Sequence, residues 1–340
     1  MTSDGVQLPS EVTAALVDAG LDPAAIVDLI DRALAEDLDG GVDVTSVATV
    51  PADQRSVLDL VAKGNGVVAG APLAAAVFHR ASQGRARTTF VADGTRVTPG
   101  DIVGSVSGPT RDLLLGERTS LNVLCHLSGI ATLTRQWVDA LGGGVTRVRD
   151  SRKTTPGMRA LEKYAVRCGG GVNHRMSLSD EALIKDNHVV AAGGVTAAFQ
   201  AVRQQFPGIR VEVEVDTLDQ LDEALAAGVD LVMIDNFTPE QMAEAVRRNG
   251  GRALIEASGG LTLANAAAVA ATGVDYVAVG SLTHSAPALD ISGDLRDATC
   301  PSWPSTWATP TPFSASSRGM CSRVRGASRP MRGRPLTRSS

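Results

Sequence analysis

Long apolar runs are missing from this chain of 340 residues. No stretch approaches the roughly 18 apolar residues that a membrane-spanning helix needs. The opening MTSDGVQLPSEV has no charged segment followed by an apolar one, so no secretory leader is expected either, and the expected compartment is the cytoplasm. Cysteine is scarce: Cys125, Cys168, Cys300 and Cys321 show no C-x-x-C spacing, which excludes a disulfide framework and a thiolate zinc site and leaves reduced thiols. A basic face is also missing. The net charge is −5, but the segment from Asp297 to Ser340 brings seven arginines against one acid, so the first 296 residues hold 25 cations and 36 acids, a net of −11. A body this acidic excludes broad contact with a phosphate backbone, and nucleic acid is not an expected partner. Any anion site must be a local cluster of cations.

What is present is patterning. At 44% hydrophobic the chain can bury one large core or two ordinary ones. Residues 1–35 read as a helical lead-in, with apolar positions three and four apart in PSEVTAALVDAGL and PAAIVDLIDRALAEDL. From Ser56 to about Arg111 the texture is β-rich, with short alternating runs and turns at Asp93-Gly94 and Pro99-Gly100. A long helical pattern covers about Leu113 to Leu141 and stops at Gly142–Gly144. Apolar strand-like runs then begin near Val211, Asp230, Ala253 and Asp275, about twenty residues apart, and the first three lead into Ala/Leu-rich helices. VTRVRDSRKT and EALIKDNHVV supply two earlier strands. Such alternation favours a parallel sheet closed, or nearly closed, into a barrel whose chemistry sits at the strand C-terminal ends. After Leu295 the chain turns Ser/Pro/Arg-rich without apolar periodicity, so residues 296–340 read as a disordered tail. A frameshift replacing the native C-terminus accounts for the abrupt change; a basic tail for nucleic acid is the alternative.

Read at strand ends, the side chains form a pattern. Arg152 and Lys153 follow VRDS; His174 and Arg175 sit in GGVNHRMS; Lys185 and Asp186 end ALIKD. Glu214 and Asp216 end VEVEVD, Asp235 ends LVMID, Glu256, Ser258 and Gly259 close LIEASGG, and Gly280 and Ser281 close YVAVGS. Each has a plain alternative. VEVEVD matches an edge strand with one wet face, Lys185 a snorkelling surface lysine, and the glycines simple turns. In a barrel both faces of a strand are covered, so inward charges must find partners. His79 and His126, in helical or apolar contexts, are read as structural. The loops SGGLTLANAA and VGSLTHSAP offer backbone N–H groups suited to a phosphate monoester. Cations set among acids that can hold Mg²⁺ and ribose hydroxyls suggest a second, highly charged ligand.

The motifs RTSLNVLCHLSGIATLT, DSRKTTPGMRALEKYAVRCGGGVNHRMSLSDEALIKDNH, VEVEVDT, IDNF, EASGGL and VDYVAVGSLTHSAPALDISGDL resemble the carboxylating nicotinate-nucleotide pyrophosphorylases, or quinolinate phosphoribosyltransferases, over about Ala33 to Leu295. The resemblance implies an α/β protein with an N-terminal open α/β sandwich, here 36–123, before an incomplete (β/α) barrel, here 124–295. It implies a cytoplasmic homodimer in which the sandwich of one subunit covers the barrel mouth of the other. It implies phosphoribosyl transfer from phosphoribosyl pyrophosphate to quinolinate with decarboxylation, giving nicotinate mononucleotide, pyrophosphate and CO₂ in NAD biosynthesis, with Mg²⁺ and no organic cofactor. Carried over by motif, Arg118 reaches into the partner's site, and Ser151, Arg152, Lys153, His174, Arg175 and Lys185 surround quinolinate. Glu214 and Asp235 face the ribose and Mg²⁺, and with Lys153 and Lys185 form the catalytic set. Ser258, Gly259, Gly260, Gly280 and Ser281 hold the 5-phosphate. Two rivals are a relative that condenses nicotinate without decarboxylation, and a lipoyl or biotinyl carrier suggested by DGTRVTPGDIVGSVSG. The carrier needs a lysine at an exposed turn, and none occurs from Ala69 to Gly116.

Overall fold

The structure, a computed structural model, describes residues 7–298. The helical lead-in forms α1 (Ser10–Asp18) and α2 (Pro23–Leu38), which matches the apolar pattern and runs three residues past the expected boundary at 35, followed by α3 (Val44–Thr49). Asp22 caps α2 by accepting the Ala24 N–H, and Pro23 presets its first turn. Leu16, Ile26 and Ile30 are the faces these helices bury.

An antiparallel sheet comes next, built from β1 (Arg55–Ala62), β3 (Arg87–Phe90) and β5 (Ile102–Pro109). Between them lie β2 (Gly66–Val67), α4 (Ala71–Ala81) and β4 (Arg96–Val97), β2 and β4 pairing with each other. Alternation in RSVLDLVA puts Ser56, Leu58, Leu60 and Ala62 on the buried face. They pack under Phe78 of α4 and Leu113, Leu121 and Leu124 of the long helix α5 (Thr110–Ala140). Helices on a single face make this an open sandwich.

The parallel sheet takes β6 (Arg147–Arg149), β7 (Ala182–Ile184), β8 (Val211–Val215), β9 (Leu231–Asp235), β10 (Leu254–Ser258) and β11 (Tyr276–Ala278) in the order β6-β11-β10-β9-β8-β7. First and last strands are neighbours, so the sheet curls on itself. The seam between β6 and β7 is narrowed only by a bridge from Arg149 to Val172, and the barrel is incomplete. Its helices are α6 (Arg159–Cys168), α7 (Asp186–Ala192), α8 (Val195–Gln205), α9 (Leu218–Ala227), α10 (Pro239–Asn249), α11 (Ala266–Ala270) and α12 (Ser281–His284). Capping boxes start two of them, Thr217 with Gln220 and Thr238 with Gln241.

One segment leaves the barrel. β12 (Ile291–Asp297) pairs antiparallel with β1, from Ser56 opposite Asp297 to Ala62 opposite Ile291, and becomes the edge of the first sheet. The boundary at 295 expected from sequence therefore corresponds to no break in structure: residues 291–295 belong to the sandwich, and Arg296 and Asp297, read as tail, complete its edge strand. The pattern misleads because ISGDLRD, with only Ile291 and Leu295 apolar, carries no periodicity that says which sheet it joins. The rest of the expected tail, 299–340, lies outside the described residues.

Two close contacts lock sandwich to barrel. The half-buried Asp93 carboxylate accepts the Gly70 and Ala71 N–H groups at 3.0 Å each and the hydroxyl of Tyr164 on α6. Gly129 of α5 lies so close to the segment before β12 that an added Cβ would sit 2.2 Å from the Pro287 carbonyl oxygen. A chain ending at Asp290 will be less stable than one ending at Ala298: burial of Ile291 alone contributes about 2 kcal/mol, and seven residues of β1 lose their partners. Denaturant unfolding of the two chains measures the difference.

Candidate active site

The DSRKTTPG segment leaves β6 at the barrel's C-terminal mouth, and buried polar groups fasten it from below. Asp150 is wholly buried and ion-pairs with Lys163 of α6, also wholly buried. The same Asp150 oxygen, Oδ1, accepts the His174 N–H at 2.8 Å, and Oδ2 accepts Asn173 Nδ2 at 2.5 Å. Lys163 Nζ also donates to the His174 carbonyl at 2.9 Å. Burial pulls Lys163 below the usual lysine range, against the pull of Asp150. The buried Glu162 accepts the Thr155 N–H at 3.1 Å and lies 3.0 Å from His126 Nε2. His126 is thus a tether on the loop, in keeping with the structural role read from sequence, and the His79 ring lies 2.9 Å from the Gln7 carbonyl. On the far side Thr283 Oγ1 donates to the Lys153 carbonyl at 2.7 Å.

Several strand-end side chains converge on this scaffold. Lys185 Nζ lies 2.5 Å from Glu214 Oε2. Lys153 folds over Gly280, where an added Cβ would sit 3.1 Å from its Cδ and 3.5 Å from Ser151 Oγ, and Ser281 begins α12 beside it. The Ser151 hydroxyl accepts the Lys153 N–H at 3.1 Å. Arg152 and Arg175 are electrostatic neighbours. Burial and the adjacent Arg152 charge both lower the Arg175 pKa, and the Nε of each is buried without a hydrogen-bond partner. Asp235 pairs in register with Ser258 across β9 and β10, and Asn236 bonds its carboxylate at 2.7 Å. Gly259 and Gly260 turn with φ of 77° and 62°, and an added Cβ on Gly259 would lie 2.1 Å from Asn236 Oδ1, so glycine is required there. Asp186 and Asp216 are exposed at the starts of α7 and α9.

Arg118 and His174 stand apart from this cluster. Arg118 is exposed on the N-terminal half of α5, and among the described residues no hydrogen bond or ion pair joins it to the barrel mouth. His174 is 5% exposed and turned into the barrel, with Nε2 2.6 Å from Glu212 Oε2 and 3.3 Å from Glu181 Oε1. Below it Glu256, fully buried, ion-pairs with Arg149, whose guanidinium lies 4.6 Å from the Tyr276 ring centroid. Burial opposes charge on His174, but its bonds to Glu181 and Glu212 overcome this and raise the ring to about 9. Burial and the Glu212 charge push Glu256 up to about 7. Arg149, Asp150, Glu162, Lys163, Glu181 and Glu212 escape sequence reasoning. Only Glu212 carried a signal, since it shares the inward face with Glu214 two residues on; Glu162 and Lys163 lie on an amphipathic helix where charge reads as solvated.

A barrel whose mouth gathers cations among a few carboxylates and two small Gly/Ser loops is a site for anionic ligands. The particular family follows from comparison. The model of the quinolinate phosphoribosyl transferase N-terminal domain matches residues 43–128 and that of the C-terminal domain residues 130–294; the chain belongs to the quinolinate phosphoribosyl transferase family. It is 51% identical over 273 residues to the nicotinate-nucleotide pyrophosphorylase [carboxylating] of Mycobacterium leprae, covering 79% of this chain and 96% of that one. The human protein of the same name is 40% identical over 279 residues, 80% and 92% of the two chains. The crystal structure of NadC from Streptococcus pyogenes superposes with a TM-score of 0.78 at 42% identity, over 82% of this chain and 98% of that one.

Two outcomes follow from the buried charges. Lys163→Met leaves Asp150 buried and unpaired, costing about 3–5 kcal/mol of stability in denaturant unfolding. His174 binds its proton more tightly folded than unfolded, so its contribution is full below pH 6.5 and is lost as pH rises to about 9, a fall of about 3 kcal/mol. Glu256 acts in the same direction, since the unfolded chain loses its proton first. Unfolding free energies across this range will decline in the native chain and less so in His174→Gln.

Proposed function

We propose that the chain transfers the phosphoribosyl group of phosphoribosyl pyrophosphate to quinolinate and releases CO₂, forming nicotinate mononucleotide and pyrophosphate. The observation that carries this reading is the pair of buried, unpartnered Nε atoms on Arg152 and Arg175, beside the exposed Lys153. Among the described residues neither guanidinium forms an ion pair, and Arg175 donates only to the Glu181 carbonyl; such a pair suits a ligand that supplies two carboxylates, which Arg can bind bidentately. Quinolinate is that dianion. Arg152, Lys153, His174, Arg175 and Lys185, with Ser151, form the acceptor pocket in this reading.

The donor side is Glu214 and Asp235, with Ser258, Gly259, Gly260, Gly280 and Ser281 around the 5-phosphate. As the bond from C1 of the ribose to pyrophosphate breaks, positive charge grows at C1, and the two carboxylates stabilise it through space. The pyridine nitrogen forms the new bond to C1. The resulting pyridinium draws the electron pair of the C2–carboxylate bond, CO₂ departs, and C2 takes a proton. Lys185, bound to Glu214, stands between the two halves of the site.

Glu214 and Asp235 also fit Mg²⁺. They are oxygen donors on adjacent strands, facing inward, since Asp235 lies two residues beyond Met233, the partner of Glu214, and neither is sealed from solvent. Mg²⁺ keeps several waters and takes one or two carboxylates plus phosphate oxygens; when bound it would neutralise charge on the departing pyrophosphate. The trio His174, Glu212 and Glu256, with donor atoms within 4.8 Å of one another, fits less well. It is buried, its imidazole is committed to Glu212, and Glu256 is committed to Arg149.

The exposed Arg118 supports a homodimer with shared sites. Val42, Val44 and Val47 are exposed near the start of α5, and Met176 and Leu178 are exposed just after Arg175, giving apolar surface on both the sandwich and the barrel rim for the two subunits to bury. No helix among the described residues is long and apolar enough to cross a membrane. The reading places the enzyme in the cytoplasm, without a nucleic-acid partner.

Purified protein given quinolinate, phosphoribosyl pyrophosphate and Mg²⁺ is expected to release CO₂ and form nicotinate mononucleotide, and nicotinate will not replace quinolinate; absence of CO₂ from folded protein refutes the reading. Lys153→Ala and Arg175→Ala will each lower kcat/KM by about 100-fold or more with the fold retained. Mixed dimers of Arg118→Ala and Lys153→Ala subunits will regain activity, whereas verified heterodimers without recovery would exclude Arg118 acting across the interface.

A further inference from the structure

Beneath the acceptor pocket lies a set of charges with no place in the reaction described above. Glu181, Glu212 and Glu256 are all buried, and one oxygen of each has no hydrogen bond. Guanidiniums lie around them: Arg149 on Glu256, Arg210, at the rim, 3.7 Å from Glu181, and Arg175, which donates to the Glu181 carbonyl at 2.9 Å. Among the described residues Glu212 has no guanidinium or ammonium within ion-pair distance, and a buried carboxylate left without a cation is costly. His174 is the group that meets it. Its Nε2 lies 2.6 Å from Glu212 and 3.3 Å from Glu181, and an ionised carboxylate only accepts, so that nitrogen must carry hydrogen. The main chain of His174 is pinned independently, its N–H on Asp150 and its carbonyl on Lys163. Nδ1 has no hydrogen-bond partner among the described residues and is not a fully buried orphan.

We propose that Glu212, supported by Glu181, is a positioning residue for the acceptor pocket: it fixes the orientation of the His174 ring, commits Nε2–H inward and keeps the ring cationic, so that Nδ1–H is the donor offered to a substrate carboxylate. Resting on the functional reading above, this adds a specificity element to it. A neutral imidazole could present either a lone pair or an N–H at Nδ1. A cationic one held by Glu212 presents only an N–H, which suits a carboxylate and repels a cationic or donor group at the same place. The buried glutamates thereby favour a dianionic acceptor without touching it.

The test is Glu212→Gln in the full chain, which keeps the side chain's shape and removes its charge. The quinolinate KM is expected to rise about tenfold, with kcat changed less than about threefold and the phosphoribosyl pyrophosphate KM unchanged. In the profile of kcat/KM for quinolinate against pH, the ionisation of His174 will move down toward the ordinary histidine value; a merely structural role would not move it. Ring-nitrogen NMR of ¹⁵N-histidine-labelled protein at about pH 7.5 will show both His174 nitrogens protonated in the native chain and a neutral ring in Glu212→Gln. An unchanged quinolinate KM and pH profile in the folded variant, or a neutral His174 in the native chain, overturns the proposal. If Glu212→Gln does not fold, the NMR spectrum of the native chain still decides. That spectrum needs no substrate, so a protein inactive on quinolinate would refute the functional reading while leaving the state of His174 separately measured.

Discussion

The ion pair between Asp150 and Lys163 is the interaction on which the candidate site depends. Both side chains are wholly removed from solvent, so each is tolerable only because the other is there, and neither can shift without leaving a bare charge in the interior. From that fixed point Asp150 reaches the His174 N–H and Asn173, and Lys163 reaches the His174 carbonyl. Arg152 and Lys153 follow Asp150 directly, and Arg175 follows His174. One buried pair therefore sets the relative position of two cation-bearing segments that are more than twenty residues apart in the chain.

The same logic explains how a chain whose first 296 residues carry a net charge of −11 accommodates polyanionic ligands. Attraction over the whole surface is not needed when the cations are concentrated at one mouth and screened from the acidic exterior. Of the chain's four lysines, Lys153, Lys163 and Lys185 lie in or under the site. Burial first, and the neighbouring Arg152 charge second, lower the Arg175 pKa, a cost that a dianionic ligand would offset. Buried glutamates one layer deeper hold the opposite charge, so the barrel interior is stratified: cations at the mouth, carboxylates beneath.

Legibility from sequence followed the locality of each signal. DSRKTTPG announces a strand end and a turn through neighbouring residues, and the β-α spacing marks where the other strands end, which is where Lys153, Lys185, Glu214, Asp235, Ser258 and Gly280 stand. Lys163 and Glu162 were invisible because helix α6 needs some charged face, and periodicity does not say whether that face meets water or Asp150. β12 reads from sequence as part of the barrel because ISGDLRD, with only Ile291 and Leu295 apolar, carries no mark of which sheet it joins.

What the sequence by itself determined is everything that depends on period and adjacency: an α/β chain, strands ending in charge, glycine loops fit for phosphate, and an acidic body with a local cluster of cations. Only the tertiary structure decided which of those charges are buried and with whom. His174 shows the difference. As a strand-loop histidine in a row of cations it reads as one more substrate contact; enclosed by Glu181, Glu212 and Glu256 it becomes the counter-charge of a buried acidic layer. The reason is physical: a side chain's charge state depends on desolvation and on partners brought from distant strands, and neither quantity is a property of neighbouring residues in the chain.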